Sequence, residues 1–356
     1  MGIYEELGVP RIINAMGTYT IYGGSKMSSQ TLQDMEDAAS SFIDLNLLQK
    51  QAGEAIAGLT HNEAAYVCNG AAAGVYLGLL AAVAAHRGKK IPYLTRQDFQ
   101  ESEILVFRSH RSPYDIVMEQ LGVSITELAY SNHSLPCPKE DMDAAISHRT
   151  AAIYYLESGW VAPGAPSLTE TIDTAKRHRL PIIMDAAAML PPTANLWNYT
   201  KAGVDLVVFS GGKDLKGPQA SGLIVGRKTL IDLLLESAFP KHGYGRFLKV
   251  GKEEIIGLYS AIKQYLTLDQ EAQIQNAEDQ VKLACQMLNT HPGYHALRSY
   301  PNEAGQPIPR VLINLLDQTT DAKTILQYLS HCTPPIIASP AGHHSLYFNP
   351  MTLTQK

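Results

Sequence analysis

The stretch that decides the fold is VDLVVFSGGKDLKGPQASGLIVG, residues 204–226. Its two ends, 204–209 and 220–226, are short apolar runs rich in β-branched residues, which predicts two buried strands. The polar loop between them contains Lys213. A lysine at the end of a sheet is suited to reaction with a carbonyl compound. We therefore expect Lys213 to lie in a reactive site.

Strand and helix patterns alternate in the chain before this loop. Apolar runs at 104–107, 150–156 and 181–185 are each followed by a segment with a helical pattern. Continuous apolar strands that alternate with helices predict an α/β fold with a mainly parallel sheet covered on both faces. Binding sites in such sheets form at the carboxyl ends of the strands.

Composition excludes several classes of protein. The 356 residues carry a net charge of −5 and contain no apolar run long enough to span a membrane. An acidic chain has no overall attraction for nucleic acid. The four scattered cysteines and the absence of an H-E-x-x-H motif give no metal site. The first residues lack the features of a signal peptide, so a cytoplasmic location is expected.

A second candidate site follows the short strand 64–68. There Asn69, Gly70, Ala71 and Ala72 lead into a long apolar helix. The free backbone N–H groups at the start of a helix bind anions, and small side chains let a phosphate approach closely. These alanines are equally well explained by close packing of the helix against the strand. The spacing matches neither a dinucleotide-binding nor a P-loop motif.

Polar residues follow three of the predicted strands. His110 comes shortly after 104–107, Asp185 ends 181–185, and Ser210 directly follows 204–209. A carboxylate buried after an Ile-Ile-Met run needs a cationic partner or several donors to stay ionised. Asp185 is alternatively an N-cap of the next helix, and His110 is alternatively a plain structural histidine.

A phosphate cradle, a buried carboxylate and a lysine are the three contacts that a protein needs to hold pyridoxal 5′-phosphate. The lysine forms a Schiff base with the aldehyde, the carboxylate keeps the ring nitrogen protonated, and backbone N–H groups with a hydroxyl hold the phosphate. Each signal is weak alone. Their order along the chain, Asn69 to Ala72, then Asp185, then Lys213, is more specific.

Motifs along most of the chain resemble a known family. They are Ile13-Asn14-Ala15-x-Gly17, Asn69-Gly70-Ala71-Ala72-Ala73, Ile183-Met184-Asp185-Ala186-Ala187, Ser210-Gly211-Gly212-Lys213-x-x-x-Gly217-Pro218-Gln219 and Gly245-Arg246-x-x-Lys249-Val250-Gly251-Lys252-Glu253. The chain is similar to the selenocysteine synthase-related family of fold-type-I pyridoxal phosphate enzymes. Within it, the similarity is greater to short members of the D-glucosaminate-6-phosphate ammonia-lyase type.

The resemblance implies a role for each candidate residue. Lys213 is implied as the Schiff-base lysine, Asp185 as the partner of the ring nitrogen, and His110 as a ring-stacking or acid/base residue. Ser210 and the turn from Asn69 through Gly70 and Ala71 to Ala72 are implied as phosphate ligands. A homodimer or higher homo-oligomer, with sites at subunit interfaces, is also implied.

Two departures from the family pattern concern the substrate. The family leads us to expect an arginine in 335–344 to bind a substrate carboxylate, and none is there. Arg246, Arg11 and Arg108 remain as candidates, and Asn14 and Gln219 are further candidate substrate residues. The N-terminal tRNA-binding domain of selenocysteine synthase is also not expected, because the family motifs begin at Ile13.

The predicted domains are an N-terminal segment (1–44) that includes a helix over 29–44, a large cofactor-binding domain (45–245), and a small α+β C-terminal domain (246–356). The predicted function is a lyase that eliminates ammonia and a β-substituent from an amino acid or amino-sugar acid. Racemase, aldolase or β-replacement activity starts with the same steps and stays open. Ser210-x-x-Lys213 also fits a serine acyl-enzyme, but the S-D-N and K-T-G elements are absent. A non-catalytic binding role is the last alternative.

Overall fold

The computed structural model describes residues 2–129, 137–161, 164–317 and 319–353. The chain forms two compact units, a larger one of Met27–Thr267 and a smaller one of Met1–Lys26 with Leu268–Lys356. These units group the residues differently from the predicted division after residues 44 and 245, which stays a prediction of domain organisation.

The strands and helices are numbered here in chain order. The strands are β1 (Ile13–Asn14), β2 (Ala64–Cys68), β3 (Glu103–Phe107), β4 (Ser124–Leu128), β5 (Thr150–Leu156), β6 (Ile182–Asp185), β7 (Leu206–Ser210), β8 (Gly222–Gly226), β9 (Tyr294–Ser299), β10 (Arg310–Leu315), β11 (Ile336–Ile337), β12 (Ser339–Gly342) and β13 (Ser345–Phe348). The α-helices are α1 (Ile3–Glu6), α2 (Ser29–Ala39), α3 (Leu45–Leu59), α4 (Gly70–His86), α5 (Arg96–Gln100), α6 (Ile116–Leu121), α7 (Lys139–Ala145), α8 (Leu168–His178), α9 (Asn195–Ala202), α10 (Lys228–Ser237), α11 (Lys252–Tyr265), α12 (Gln270–Leu288) and α13 (Ala322–Ser330).

The larger unit is built on a seven-stranded sheet in the order β2-β8-β7-β6-β5-β3-β4. The pairs from β7 through β6, β5 and β3 to β4 are parallel, whereas β8 is antiparallel to both of its neighbours. The predicted α/β class with a mainly parallel sheet is confirmed. The antiparallel β8 follows from the short loop that contains Lys213, because a crossover to a parallel strand needs a dozen or more residues.

Both faces of this sheet are buried, because the side chains that its strands point to either face are apolar. Val106, Tyr154, Ile183 and Val208 face a core shared with α4, α6 and α10. Phe107, Tyr155, Met184 and Phe209 face a second core shared with α3, α8 and α11. Successive side chains of a strand point to opposite faces. This alternation fixes which polar residues at the strand ends share a face.

The smaller unit contains an antiparallel sheet in the order β12-β13-β10-β9 and the parallel pair β1–β11. Its core is centred on Val281 of α12 and on alternate residues of β10, with α13 packed against it. The predicted α+β character of the C-terminal part of the chain is observed.

One predicted helix is too long. The helix expected over 29–44 ends at Ala39, and its N-cap is Ser28, whose hydroxyl accepts from the Thr31 amide. Asp44 is instead the N-cap of α3, since its carboxylate accepts from the amides of Asn46 and Leu47. Capping by an acidic residue begins a new helix here. No helix among the described residues has the length and apolar character needed to cross a membrane.

Candidate active site

The carboxyl ends of β6 and β7 place two polar residues on one face of the sheet. Asp185 is the last residue of β6 and Ser210 the last of β7. Each is two residues beyond a side chain of the core shared with α4, namely Ile183 and Val208. Alternation along a strand therefore puts Asp185 and Ser210 on the face that α4 covers.

Asp185 is a buried carboxylate, with 4% of its surface exposed. It accepts hydrogen bonds from the Ala187 amide at 3.0 Å and from the Tyr154 hydroxyl at 3.5 Å. Burial raises its pKa above the ordinary value, while the Ala187 amide and the charge of Lys213 act in the opposite direction. Asp185 is not an N-cap, because the next helix begins ten residues later at Asn195. The site favours a cationic partner for this carboxylate.

Lys213 lies in a tightly bonded turn between β7 and β8. The Gly211 amide donates to the Ser221 carbonyl at 2.9 Å, and the Gly217 amide donates to the Gly211 carbonyl at 2.8 Å. A Cβ atom at Gly212 would lie 2.6 Å from the Gln219 Cα, so only glycine fits beside this part of the turn. Lys213 itself is half-buried. Lys213 is near enough to Asp185 for its charge to lower the pKa of that carboxyl, against the larger effect of burial.

The N-terminus of α4 provides backbone donors without a side-chain cap. Asn69 is its N-cap residue, but its side chain makes no capping hydrogen bond and donates to the Lys249 carbonyl at 2.6 Å. Gly70 has a φ of +77° and open space where a side chain would be. Ala71 and Ala72 are half-buried. These features suit the binding of an anion at the first turn.

Close packing fixes this helix on the sheet. A Cβ atom at Gly74 would lie 2.6 Å from Val208 Cγ1, and one at Gly222 would lie 2.5 Å from the Gly70 carbonyl carbon. The N-terminus of α4 is thereby placed beside the ends of β7 and β8. Both of the explanations considered for the small residues after Asn69, anion binding and helix–strand packing, are compatible with this geometry.

His110 is buried, with 3% of its surface exposed. Its Nδ1 accepts from the Leu156 amide at 3.2 Å, and its ring contacts the rings of Tyr155 and Phe107 edge to face. Burial lowers its pKa to about 4. A neutral ring that accepts at Nδ1 carries its hydrogen on Nε2. His110 therefore has one N–H group left for a ligand.

Two buried hydroxyl oxygens lack a hydrogen-bond partner among the described residues. They are Ser109 Oγ, after β3, and Ser158 Oγ, after the neighbouring strand β5. Buried polar atoms in native proteins are nearly always paired, so these oxygens fit a ligand with polar groups. Both serines follow predicted strands, but the sequence did not identify them as site residues, because a missing hydrogen-bond partner depends on tertiary packing. Tyr154, the donor to Asp185, was also missed, because it lies inside a strand.

The candidate substrate residues are more scattered. Arg246 is exposed, and its guanidinium lies 5.2 Å from the Phe239 ring centroid. The hydrogen bond from Asn69 to Lys249 brings the loop of Arg246 to the N-terminus of α4. Gln219 is exposed at the far end of the Lys213 turn.

The other three candidates have local partners. Arg11 is paired with Glu5 and Arg108 with Glu127, each at 3.1 Å. Asn14 lies in the smaller unit, where its side chain donates to the Gly17 carbonyl and accepts from the Met16 amide, both at 2.9 Å. Arg246 is the one arginine of the three without a carboxylate partner among the described residues.

The residues present fit pyridoxal 5′-phosphate. Asp185 suits the protonated ring nitrogen, the uncapped N-terminus of α4 with Ser210 suits the phosphate, and Lys213 suits the aldehyde carbon. The unpartnered Ser109 and Ser158 hydroxyls suit the remaining polar groups of a ligand between these points. The fit rests on the raised pKa of Asp185 and on the two orphan oxygens.

Comparison with known proteins agrees with this fit. The family model described as L-seryl-tRNA selenium transferase (SelA) matches residues 48–288. The chain is 28% identical to D-glucosaminate-6-phosphate ammonia lyase of Salmonella typhimurium, covering 88% of this chain and 82% of that protein. It is 32% identical to 5′-C-glycyluridine monooxygenase-decarboxylase of a Streptomyces species, covering 88% and 77%. A solved structure of D-glucosaminate-6-phosphate ammonia-lyase has a TM-score of 0.82 at 26% identity and covers 100% of this chain and 94% of that one.

Proposed function

The chain belongs to the L-seryl-tRNA selenium transferase (SelA) family, and from that premise we propose that it is a lyase that eliminates ammonia and a β-substituent from an amino acid or amino-sugar acid. It is an enzyme of fold type I, and its cofactor is pyridoxal 5′-phosphate. The observation that carries the proposal is the buried carboxylate of Asp185 at the end of β6, whose pKa is lowered by the nearby charge of Lys213. The similarity to an ammonia lyase along nearly the whole chain supports this choice of reaction.

The bound cofactor supplies an aldehyde that joins the substrate amine and a cationic ring that withdraws electrons from the α-carbon. Asp185 would accept a hydrogen bond from the protonated ring nitrogen and would stabilise the positive charge of the ring. The first turn of α4 and Ser210 bind the phosphate. The Asp185 carboxylate is buried, so its charge acts in a medium of low dielectric constant. Its attraction for a cationic ring nitrogen is therefore stronger than it would be in water.

Lys213 is proposed to move the proton. Its amino group would take the proton from the α-carbon of the substrate and would return it to the departing β-substituent. His110 is neutral because burial lowers its pKa to about 4, so it acts as a hydrogen-bond donor from Nε2 rather than as a cation. Arg246 is proposed to bind the acidic group of the substrate.

Addition of pyridoxal 5′-phosphate tests the lysine. After reduction with borohydride and removal of unbound cofactor, the wild type is expected to keep a cofactor absorbance band between about 330 and 430 nm, and Lys213→Ala is expected to lose it, because only a Schiff base with the lysine is fixed to the protein. Lys216→Asn is the matched control, since Lys216 is exposed in the same turn. D-Glucosaminate 6-phosphate and a panel of D- and L-amino acids are then tested for release of ammonia and a keto acid. A wild type without a lysine-dependent band contradicts the proposal.

Oxidative decarboxylation is a second candidate, because the monooxygenase-decarboxylase relative is more identical to this chain than the ammonia lyase is, 32% against 28%. Oxygen consumption with carbon dioxide release, in the absence of ammonia release, would favour it. The comparisons favour racemase, aldolase and β-replacement activities less.

We also propose a homodimer or higher homo-oligomer and keep the predicted cytoplasmic location as part of this proposal. The larger unit supports an oligomer because Leu32, Phe42, Ile43 and Leu47 expose large apolar side chains within sixteen residues. Exposed apolar patches commonly mark protein interfaces.

A further inference from the structure

The turn that carries Lys213 rests against α11. A Cβ atom at Gly217 would lie 3.4 Å from Ala261 Cβ, and one at Gly257 would lie 2.5 Å from Pro218 Cγ. These contacts are apolar and close. A polar contact also joins the same two elements: the Tyr265 hydroxyl donates a hydrogen bond of 2.6 Å to Asp214 Oδ2.

Both partners of this hydrogen bond are buried. Tyr265 is 2% exposed and Asp214 is 6% exposed. Burial raises the pKa of Asp214, and the Tyr265 hydrogen bond and the charge of Lys216 act against this rise. A buried carboxylate that loses its donor carries the full cost of desolvation. The turn therefore depends on Tyr265 to keep Asp214 in its position.

Asp214 is the residue directly after Lys213. Their Cα atoms are separated by one peptide unit, about 3.8 Å, so a displacement of Asp214 is passed directly to Lys213. The side chain of Asp214 binds α11 in the core that contains Tyr265 and Leu215, whereas Lys213 acts on Asp185. The hydrogen bond thus holds the turn through the side chain of Asp214 and does not involve the amino group of Lys213.

We propose that Asp214 and Tyr265 are positioning residues that hold Lys213 in the geometry required by the cofactor. The inference rests on the proposed function and extends it to α11, the helix that packs against the Lys213 turn. Alignment of reacting groups accounts for much of the rate enhancement by enzymes, and a small misplacement of a catalytic group lowers the rate strongly. The hydrogen bond, rather than the charge of Asp214, is the essential feature.

Three single variants separate an effect of the hydrogen bond from an effect of the charge of Asp214. Tyr265→Phe removes the donor. Asp214→Asn removes the charge but keeps an oxygen that accepts from the Tyr265 hydroxyl. Tyr259→Phe is the matched control, since Tyr259 is on the same helix and packs against the same core without contacting Asp214 in the described hydrogen bonds.

The readouts are the pH midpoint and the circular dichroism of the cofactor band, together with kcat and KM for the compound of the tested panel from which the wild type releases ammonia. In Tyr265→Phe we expect a changed cofactor signal and a kcat reduced roughly tenfold or more, with KM within about twofold, because the lost contact acts on the chemical step. Asp214→Asn and Tyr259→Phe are expected to resemble the wild type.

Three outcomes overturn the proposal. They are an unchanged cofactor signal in Tyr265→Phe, an equal change in Tyr259→Phe, and an equal change in Asp214→Asn, which would assign the effect to charge. If Tyr265→Phe does not fold, the double variant Asp214→Leu/Tyr265→Phe replaces both partners by apolar groups at small cost in stability and carries the same expectation. A wild type without a lysine-dependent band refutes the proposed function, whereas a normal wild type with unchanged variants refutes only the positioning role.

Discussion

Burial shifts the two acid–base residues of the site toward their neutral forms. The pKa of Asp185 is raised and that of His110 is lowered to about 4, in both cases first by desolvation. The two residues differ in whether a bound ligand can add a partner. Asp185 faces the region of Lys213 and gains from a cationic ring nitrogen, whereas the Nδ1 of His110 is already occupied by the Leu156 amide. The site is therefore prepared for one cation, at Asp185.

The lowered pKa of His110 predicts a loss of stability in mild acid. The ordinary pKa of 6.5 applies to the unfolded chain, and the folded value is about 4. Between these values the unfolded state binds more protons than the folded state, so the free energy of unfolding falls as the pH drops from 6.5 toward 4 and is fully retained above 6.5. The contribution from this residue is about 3 kcal/mol in total, since the two pKa values differ by about 2.5 and a difference of one corresponds to about 1.4 kcal/mol.

Urea unfolding of the cofactor-free protein near pH 7 and near pH 5 measures this effect. In His110→Asn, whose amide oxygen can still accept from the Leu156 amide, the loss of unfolding free energy between the two pH values is expected to be smaller than in the wild type. His331→Asn, an exposed histidine of α13's C-cap, is the control and is expected to keep the wild-type loss. Equal losses in all three proteins contradict a buried neutral His110.

At the scale of elements, the sequence predicted the strands, because short apolar runs determine them locally. The apolar runs predicted to end at Phe107, Asp185 and Phe209 are strands, and their ends meet at one edge as parallel pairing requires. The end of α2 was placed five residues too late, because Asp44 fits either the last turn of one helix or the cap of the next. Only the fold decides between them.

Other parts of the site could not be predicted from the sequence, for a physical reason. Ser109 and Ser158 are distinguished by the absence of a partner, which depends on every neighbouring chain segment. The bond between Asp214 and Tyr265 joins residues 51 positions apart. Contacts of this kind arise from tertiary packing, and no periodicity or motif in one sequence encodes them.

The packing of α4 on the sheet gives a prediction at this scale. At Gly74 an added Cβ atom would lie 2.6 Å from Val208 Cγ1, so Gly74→Ala should lower the free energy of unfolding by about 1–3 kcal/mol and weaken cofactor binding by displacing the first turn of α4. Gly58→Ala in α3 is the matched control, because open space surrounds that position. It should be neutral or stabilise by up to about 1 kcal/mol.

Urea unfolding and titration of the cofactor band provide both measurements for the two glycine variants. If Gly74→Ala keeps the wild-type stability and cofactor affinity, then α4 is not fixed by this contact. Equal destabilisation by Gly58→Ala would also contradict the explanation, because it would show that the effect arises from the substitution itself and not from the packing of α4 on β7.

At the scale of the whole molecule, the large apolar side chains between Leu32 and Leu47 form one of the exposed apolar groups of the described chain. Phe42 is fully exposed, and Ile43 and Leu47 are about half exposed. Single exposed apolar residues are ordinary, but a group of them within one short segment is typical of an interface. In a twofold-symmetric dimer each such residue is buried twice, so its effect on association is doubled.

The change Phe42→Ser is therefore expected to weaken self-association. Full burial of a phenylalanine side chain contributes about 1.5–3 kcal/mol, and two copies would lower the dimerisation constant by roughly two to four powers of ten. Sedimentation velocity over a range of protein concentrations measures the change as a shift from dimer to monomer. Tyr328→Ser, an equally drastic change at an exposed aromatic residue of α13, is the control and should leave the sedimentation coefficient unchanged. A monomeric wild type, or a Phe42→Ser variant that associates as the wild type does, would show that this segment is not the interface.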